Sequence, residues 1–380
     1  MEETAIPILE LGIVFLAAAI LGFGARKLGL PAVVGYLMVG LVGFQLLPEG
    51  SRPDEEFVRL LADVGVVLLL FEVGIELDVG RLRREHRSLL LASPLQIVTS
   101  TLLAGAALTL FGQPLEVALV LGLCVAMSSS VVVVNITRSV TRRTNKVTEM
   151  SLLGWSLLQD LSGVIVGAIV LAFWNAEERD PLEALVGLVL FFLMAIVAAR
   201  LFPAVLSRLR HYHDLFLLVS IAAGLIGAGV GSVVFGIPLA LAAFVAGLVI
   251  ADSPMAGEAR RRLLPFRDVF AVLFFVSVGS LLSPEALFNG FEWVFIFVGL
   301  MLVFKTGIVY VYSKLGGMER PSQIATGLAQ MGEFSFVLVS LLFVAGDVSP
   351  ELYAGLLADV GVVLLLFEVG IELDVGRLRR

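Results

Sequence analysis

Apolar segments of roughly twenty residues, the length a helix needs to cross a hydrocarbon core, follow one another along this chain, separated by short polar turns. Thirteen can be drawn: 6–25, 31–47, 57–77, 89–111, 115–137, 147–174, 182–199, 215–235, 237–250, 266–282, 293–312, 324–344 and 352–371. Only helices and closed barrels satisfy every backbone polar group inside lipid, and segments this long and continuously apolar are helices. Apolar residues make up 59% of the chain, charged residues 16%, and mean hydropathy is +1.01, well outside the range of soluble domains. The sequence therefore predicts an all-α polytopic membrane protein of about 13 transmembrane helices.

Charge segregates by loop. Alternate turns hold Arg26 and Lys27; Arg81, Arg83, Arg84 and Arg87; Arg138, Arg142, Arg143 and Lys146; Arg208 and Arg210; Arg260, Arg261, Arg262 and Arg267; Lys314 and Arg320. The intervening turns are acidic, as at Asp54-Glu55-Glu56 and Glu177-Glu178-Arg179-Asp180. Basic loops stay cytoplasmic, which places the N-terminus outside and the C-terminus inside a cell inner (plasma) membrane. The first residues, Met1-Glu2-Glu3-Thr4, lack the basic start of a cleavable signal, so the first segment reads as a retained helix. Cys124 is the single cysteine, so no disulfide framework exists. His86, His211 and His213 fall in basic loops and read as solvated. Walker loop, nucleophile elbow, zinc spacing, lipidation motif and nucleophile–base pair are all missing, and the chain reads as no enzyme, with no cofactor and no metal set.

Inside this apolar background four segments carry polar groups near their centres. Segment 147–174 holds Gln159-Asp160. A carboxylate at bilayer depth costs about 3 kcal/mol on insertion scales, so Asp160 is either the partner of another buried polar group or part of an ion path. Segment 115–137 holds Ser128-Ser129-Ser130 and then Asn135; consecutive serines compete for backbone carbonyls and favour a bend, or else pack helices closely. Segment 293–312 holds Lys305, more than a turn from either end and too deep for easy snorkelling. Segment 324–344 holds Gln330-Met331-Gly332-Glu333. One basic and two acidic groups at a common depth point to a shared site, with Lys305 paired to Asp160 and a cation competing for that carboxylate. Protonating Asp160 would release the cation, which is the minimum chemistry of proton–cation exchange.

With those residues in view, the chain resembles the monovalent cation/proton antiporters of the second branch, the potassium-efflux-type sodium/hydrogen exchangers. The likeness runs up to about Leu357. It rests on Leu30-Pro31-Ala32-Val33-Val34-Gly35-Tyr36-Leu37, Gly65-Val66-Val67-Leu68-Leu69-Leu70-Phe71, Ala126-Met127-Ser128-Ser129-Ser130 and Leu158-Gln159-Asp160-Leu161, then Ala243-Phe244-Val245-Ala246-Gly247, Phe274-Phe275-Val276-Ser277-Val278-Gly279 and Gly332-Glu333-Phe334-Ser335-Phe336, in that order.

The resemblance implies two inverted six-helix repeats, with the fifth and twelfth helices interrupted and crossing at the midplane. It implies scaffold and dimer helices at about 6–77 and 215–282, a linker at 182–199 and core helices at about 89–174 and 293–371. Asp160 would carry cation and proton, with Gln159 as a neutral oxygen ligand, Ser128 and Ser129 at the crossing, and Lys305 and Glu333 as core charge partners. The implied activity is exchange of protons for K+, or for Na+, by alternating access in a homodimer within the lipid bilayer, with no nucleic acid involved. A ligand-gated potassium pathway and a non-transporting membrane sensor are the alternatives.

Three features depart from that pattern. Glu72 occupies a usually apolar position and is a possible additional intramembrane acid, contacting either another helix or the cytoplasmic interface. Residues 60–84 recur unchanged as 356–380. Ancient transporter repeats keep fold and lose sequence, so identity over 25 residues points to a join in the sequence or, second, a recent duplication. The copy would bring Glu368 and Glu372 into the core. The nucleotide-binding cytoplasmic domain of many potassium efflux systems is not in this sequence, and it would be a further partner.

Overall fold

The computed structural model describes residues 2–28, 30, 32–46, 55–76, 88–129, 132–133, 137, 145–174, 181–251, 253–332 and 334–359. No strand occurs among the described residues. In chain order the helices are α1 (Glu2–Lys27), α2 (Ala32–Leu41), α3 (Glu55–Glu76), α4 (Leu89–Leu110), α5 (Leu115–Ala126), α6 (Lys146–Trp174), α7 (Pro181–Leu209) and α8 (His213–Phe235). They continue as α9 (Leu239–Ala251), α10 (Ala256–Ser280), α11 (Pro284–Asn289), α12 (Phe291–Leu300), α13 (Gly307–Leu315), α14 (Pro321–Gly327) and α15 (Phe334–Ala345); residues 350–359 are helical too. Among the described residues, seven stretches are long and apolar enough to cross a membrane: Ile6–Lys27, Leu89–Leu110, Lys146–Gly167, Leu185–Leu209, His213–Phe235, Ala256–Ser280 and Phe291–Leu315. The fold is that of a polytopic membrane protein. Leu185, Val189, Leu193, Ile196 and Leu201 of α7 are exposed, a stripe suited to contact with hydrocarbon.

Two compact units make up the chain: Met1–Glu55, Ser88–Gly163 and Phe275–Arg380 in the first, Glu56–Arg87 and Val164–Phe274 in the second. In the second unit, α3 and α9 touch backbone to backbone. A Cβ on Gly74 would sit 2.2 Å from the Phe244 carbonyl oxygen, and one on Gly247 2.2 Å from that of Phe71. Only glycine at both positions admits that approach. Phe71, Ile75, Leu206, Phe216, Ile250 and Leu263 close the core beside it, and the Arg262 guanidinium stacks over Phe216 at 4.6 Å.

Glu72 belongs to this second unit and is fully buried, and its contacts lie on another helix. Arg260 Nε donates to its Oε1, and Arg267 donates to its Oε2 at 2.7 Å. Arg260 also reaches Glu76 at 2.7 Å. Two carboxylates of α3 thus meet two guanidiniums of α10, an arrangement that keeps the buried acid paired.

In the first unit, the helical residues 350–359 are anchored by Tyr353. Its ring stacks on Phe343 at 4.4 Å between centroids, and its hydroxyl donates to the Val278 carbonyl at 3.1 Å. The glutamates of the copied segment, Glu368 and Glu372, lie outside the described residues.

Three apolar segments that read as single spans are interrupted. α5 ends at Ala126 after 12 residues, and Met127 is extended (φ −88°, ψ 144°). Segment 324–344 is split into α14 and α15, with residues 328–332 between them outside any helix. The third interruption is a π-helical turn over Met301–Thr306, which joins α12 to α13. Nothing in the hydropathy marks it, because a π turn keeps the apolar run intact while misaligning carbonyls.

Candidate functional site

The serines after α5 begin the site. Helix ends leave backbone carbonyls and amides without intrahelical partners, and inside a membrane core those groups must find others. The two breaks of the first unit satisfy each other. Gly332 N–H donates to the Met127 carbonyl at 3.1 Å, and Ser129 N–H donates to Gln330 Oε1 at 2.7 Å. Gln330 Nε2 returns a bond to the Ser129 carbonyl at 3.3 Å, and Ser128 Oγ donates to the Leu328 carbonyl at 2.9 Å. Ser129 Oγ accepts from Val132 N–H at 3.3 Å, capping the turn that follows. Ser335 Oγ donates to the Cys124 carbonyl at 2.9 Å on the other flank. The residues between α14 and α15 cross the end of α5.

Lys305 holds this crossing. It is fully buried and sits in the π turn, and its Nζ donates to the Met127 carbonyl at 2.6 Å and to the Gln330 carbonyl. The sequence pairs this lysine with Asp160. Among the described residues its hydrogen bonds go to the two breaks, and Asp160 is not one of its partners. The physical reason is that an ammonium has three donors, and broken helix ends present carbonyls that need them. Asp359 is its charged neighbour. Asp359 lies in the copied segment, fully buried, and neither of its carboxylate oxygens has a hydrogen-bond partner among the described residues.

Gln159 and Asp160 stand on α6, whose start is fixed by Asn145: its Oδ1 accepts from Thr148 N–H at 2.8 Å. Both are buried, Asp160 at 9% exposure and Gln159 at 0%. α6 approaches the break closely, since a Cβ on Gly163 would meet the Met127 side chain at 2.6 Å. Glu333 and Ser130 lie outside the described residues. Glu72 is in the second unit with its arginines, as described above. The structure therefore brings Ser128, Ser129 and Lys305 together at the breaks, while Gln159 bonds to Gln96, which reaches the end of α5 at the Ala126 carbonyl.

Gln96, on α4, carried no sequence signal beyond being a lone amide in an apolar segment at similar depth. It is fully buried and bonds to α5, to α6 and to Ser100 on its own helix. Its Nε2 donates to the Ala126 carbonyl at 3.1 Å and to Ser100 Oγ at 3.2 Å. Its Oε1 accepts from Trp155 Nε1 at 3.3 Å and from Gln159 Nε2 at 2.5 Å. Ser100 Oγ in turn donates at 2.8 Å to the Phe304 carbonyl, inside the π turn that carries Lys305.

Discontinuous helices that cross within an all-helical membrane bundle, with an acid and an amide on a neighbouring helix, define the class of secondary transporters. The sequence profile described as sodium/hydrogen exchanger, transmembrane, matches residues 12–355, and the chain belongs to that family. It is 32% identical over 340 residues to YbaL of Escherichia coli strain K12, a protein named for cation/proton antiport, covering 85% of this chain. The chain spans 60% of that relative's length. It is also 32% identical over 338 residues to the iron transporter MagA of Paramagnetospirillum magneticum strain AMB-1, covering 86% of this chain and 76% of MagA. The fold matches that of the sodium proton antiporter MjNhaP1 from Methanocaldococcus jannaschii with a TM-score of 0.74 at 16% identity, over 97% of this chain and 96% of the other.

Proposed function

We propose that this chain exchanges protons for a monovalent cation, K+ in preference to Na+, by alternating access around Asp160. The observation that carries the reading is that the two broken helices bond to each other, with α6, the helix that bears Gln159-Asp160, packed against one of the breaks at Gly163. Such breaks present carbonyl oxygens and helix-dipole ends to a partly dehydrated cation. Asp160 supplies the carboxylate that binds the cation, and the same carboxylate takes the proton when the cation leaves. One carboxylate beside a neutral amide favours one-for-one, electroneutral exchange. Gln159, Ser128 and Ser129 act as oxygen ligands, Lys305 and Glu333 as the core charges that balance the site. Core helices at about 89–174 and 293–371 move against scaffold helices at about 6–77 and 215–282, joined by the linker at 182–199, and the scaffold forms a homodimer. The alternation of basic and acidic loops supports an inner-membrane protein with an outside N-terminus and a cytoplasmic C-terminus.

The test is proton movement in proteoliposomes that hold a pH gradient, with wild type and Asp160→Asn side by side. Adding K+ or Na+ should collapse the gradient in the wild type and leave it intact in the variant, and the more effective cation is the substrate. Equal dissipation by both proteins would remove Asp160 from the mechanism. Cation flux without obligatory proton movement would replace exchange by a gated pathway.

A further inference from the structure

Hydrogen-bond chemistry around Gln96 fixes the orientation of an amide one residue from Asp160. The Trp155 indole N–H can only donate, and it meets Gln96 Oε1 at 3.3 Å. The Ala126 carbonyl can only accept, and it meets Gln96 Nε2 at 3.1 Å. Both neighbours demand the same orientation, so the Gln96 amide cannot be flipped without breaking two buried bonds. Gln96 Oε1 is therefore an acceptor toward Gln159, and Gln159 must present its Nε2, as it does at 2.5 Å. That leaves Gln159 Oε1 as the outstanding group. It is fully buried, and it has no hydrogen-bond partner among the described residues. A buried carbonyl oxygen without a donor forfeits the hydrogen bonds it makes in water, so such an orphan calls for an explanation.

We infer that Gln96, held by Trp155 and the end of α5, is a positioning residue that turns the Gln159 carbonyl oxygen toward the cation. The inference deepens the exchange reading and rests on Gln159 as a cation ligand. A hard monovalent cation takes neutral oxygen donors, and the NH2 end of an amide would repel it. A freely rotating glutamine would offer the wrong end part of the time. The chain of donor-only indole, amide and donor-committed second amide removes that freedom, as outer partners do for the ligands of metal sites. The same amide reaches the α5 break through Ala126 and the Lys305 turn through Ser100, so the ligand is set in register with both.

The experiment is a double-mutant cycle on cation affinity, with Gln96→Leu, Gln159→Leu and the pair. Affinity is read two ways: from the rise in unfolding temperature of purified protein on adding K+ or Na+, and from the cation KM in proteoliposomes. Gln96→Leu should weaken affinity roughly tenfold, as loss of an outer partner does at metal sites, with the effect in KM rather than in the maximal rate, and Gln159→Leu, which removes the ligand itself, should weaken affinity at least as much. The double variant should be no weaker than Gln159→Leu alone, because Gln96 acts only through Gln159. Trp155→Phe, which removes the N–H along with one ring of the indole, should weaken affinity in the same direction by a smaller factor. Losses that multiply in the double variant, or a Gln96→Leu protein with normal affinity and a lowered rate, would overturn the inference. An unchanged affinity in Gln159→Leu would overturn it through its premise, and it would stand apart from failure of the exchange reading, in which Asp160→Asn too would leave cation binding intact.

Discussion

The Lys305 ammonium lies 2.6 Å from the carbonyl oxygen of Met127, the residue at which the fifth helix stops. That single bond ties the π turn of one helix to the break of another, and a second bond from the same nitrogen ties it to Gln330 in the other break. The lysine thus ties the two breaks and the π turn together. Buried carbonyls gain most from a charged donor, and they lose most when it is removed.

Replacing Lys305 by methionine keeps the stem and deletes the three donors. Two buried carbonyls then lose the ammonium, and the protein should lose about 2–4 kcal/mol of stability. Thermal unfolding in detergent checks this, and unchanged stability would mean that the crossing stands without the lysine.

Gly332 is where the two breaks come closest. A Cβ there would lie 2.9 Å from the Ser128 carbonyl oxygen and 3.0 Å from its carbon. Neither is the end of a flexible side chain, so the backbone must shift. Gly332→Ala should destabilise by about 1–3 kcal/mol, the usual range for overpacking, and should slow exchange by separating the breaks. Wild-type unfolding temperature together with wild-type exchange would show that the crossing has slack.

Asp347 lies in the turn after α15, outside the spanning helices. Burial, and then the nearby Glu116 carboxylate, hold its carboxyl above the ordinary carboxylate range. A carboxyl raised in the folded state favours folding most when protonated, and its contribution is lost as pH rises through the folded value. Asp347→Asn should therefore stabilise the protein at neutral pH and make no difference below about pH 3, where both states are protonated. Unfolding temperatures against pH for the two proteins will show the difference, and a constant offset across the range would count against it.

Much of this architecture was legible in hydropathy, because lipid imposes one solution on every apolar segment. The breaks were foreshadowed by Ser128-Ser129 and by Gly332, residues that weaken a helix locally. Lys305 was legible as buried and important, yet its partners are backbone carbonyls, which no side-chain pattern displays. The π turn around it and the role of Gln96 were silent for the same reason: both depend on which groups a neighbouring helix leaves unsatisfied. The copied segment makes the point from the other side. Leu60 is 62% exposed and Asp63 is exposed, whereas the identical residues Leu356 and Asp359 are fully buried, Asp359 without a hydrogen-bond partner among the described residues. Identical local sequence meets a different environment, and the environment decides.

Glu72 offers the sharpest case, since the sequence alone left it between another helix and the interface. It bridges Arg260 and Arg267 of α10 from a fully buried position on α3. The two arginine side chains keep 36% and 22% of their surface, so water softens the loss of their partner. Glu72→Ala should cost about 2 kcal/mol, below the range for breaking a wholly buried pair. Arg267→Ala alone strands the carboxylate beside Arg260 only and should cost less. The double variant removes both ends of one bond, so its loss should fall short of the sum by roughly 0.5–3 kcal/mol, the coupling range of groups in contact. Unfolding temperatures and denaturant midpoints of the four proteins complete the cycle. Strictly additive losses would mean that the α3–α10 contact holds through its apolar neighbours, with the ion pair contributing nothing of its own.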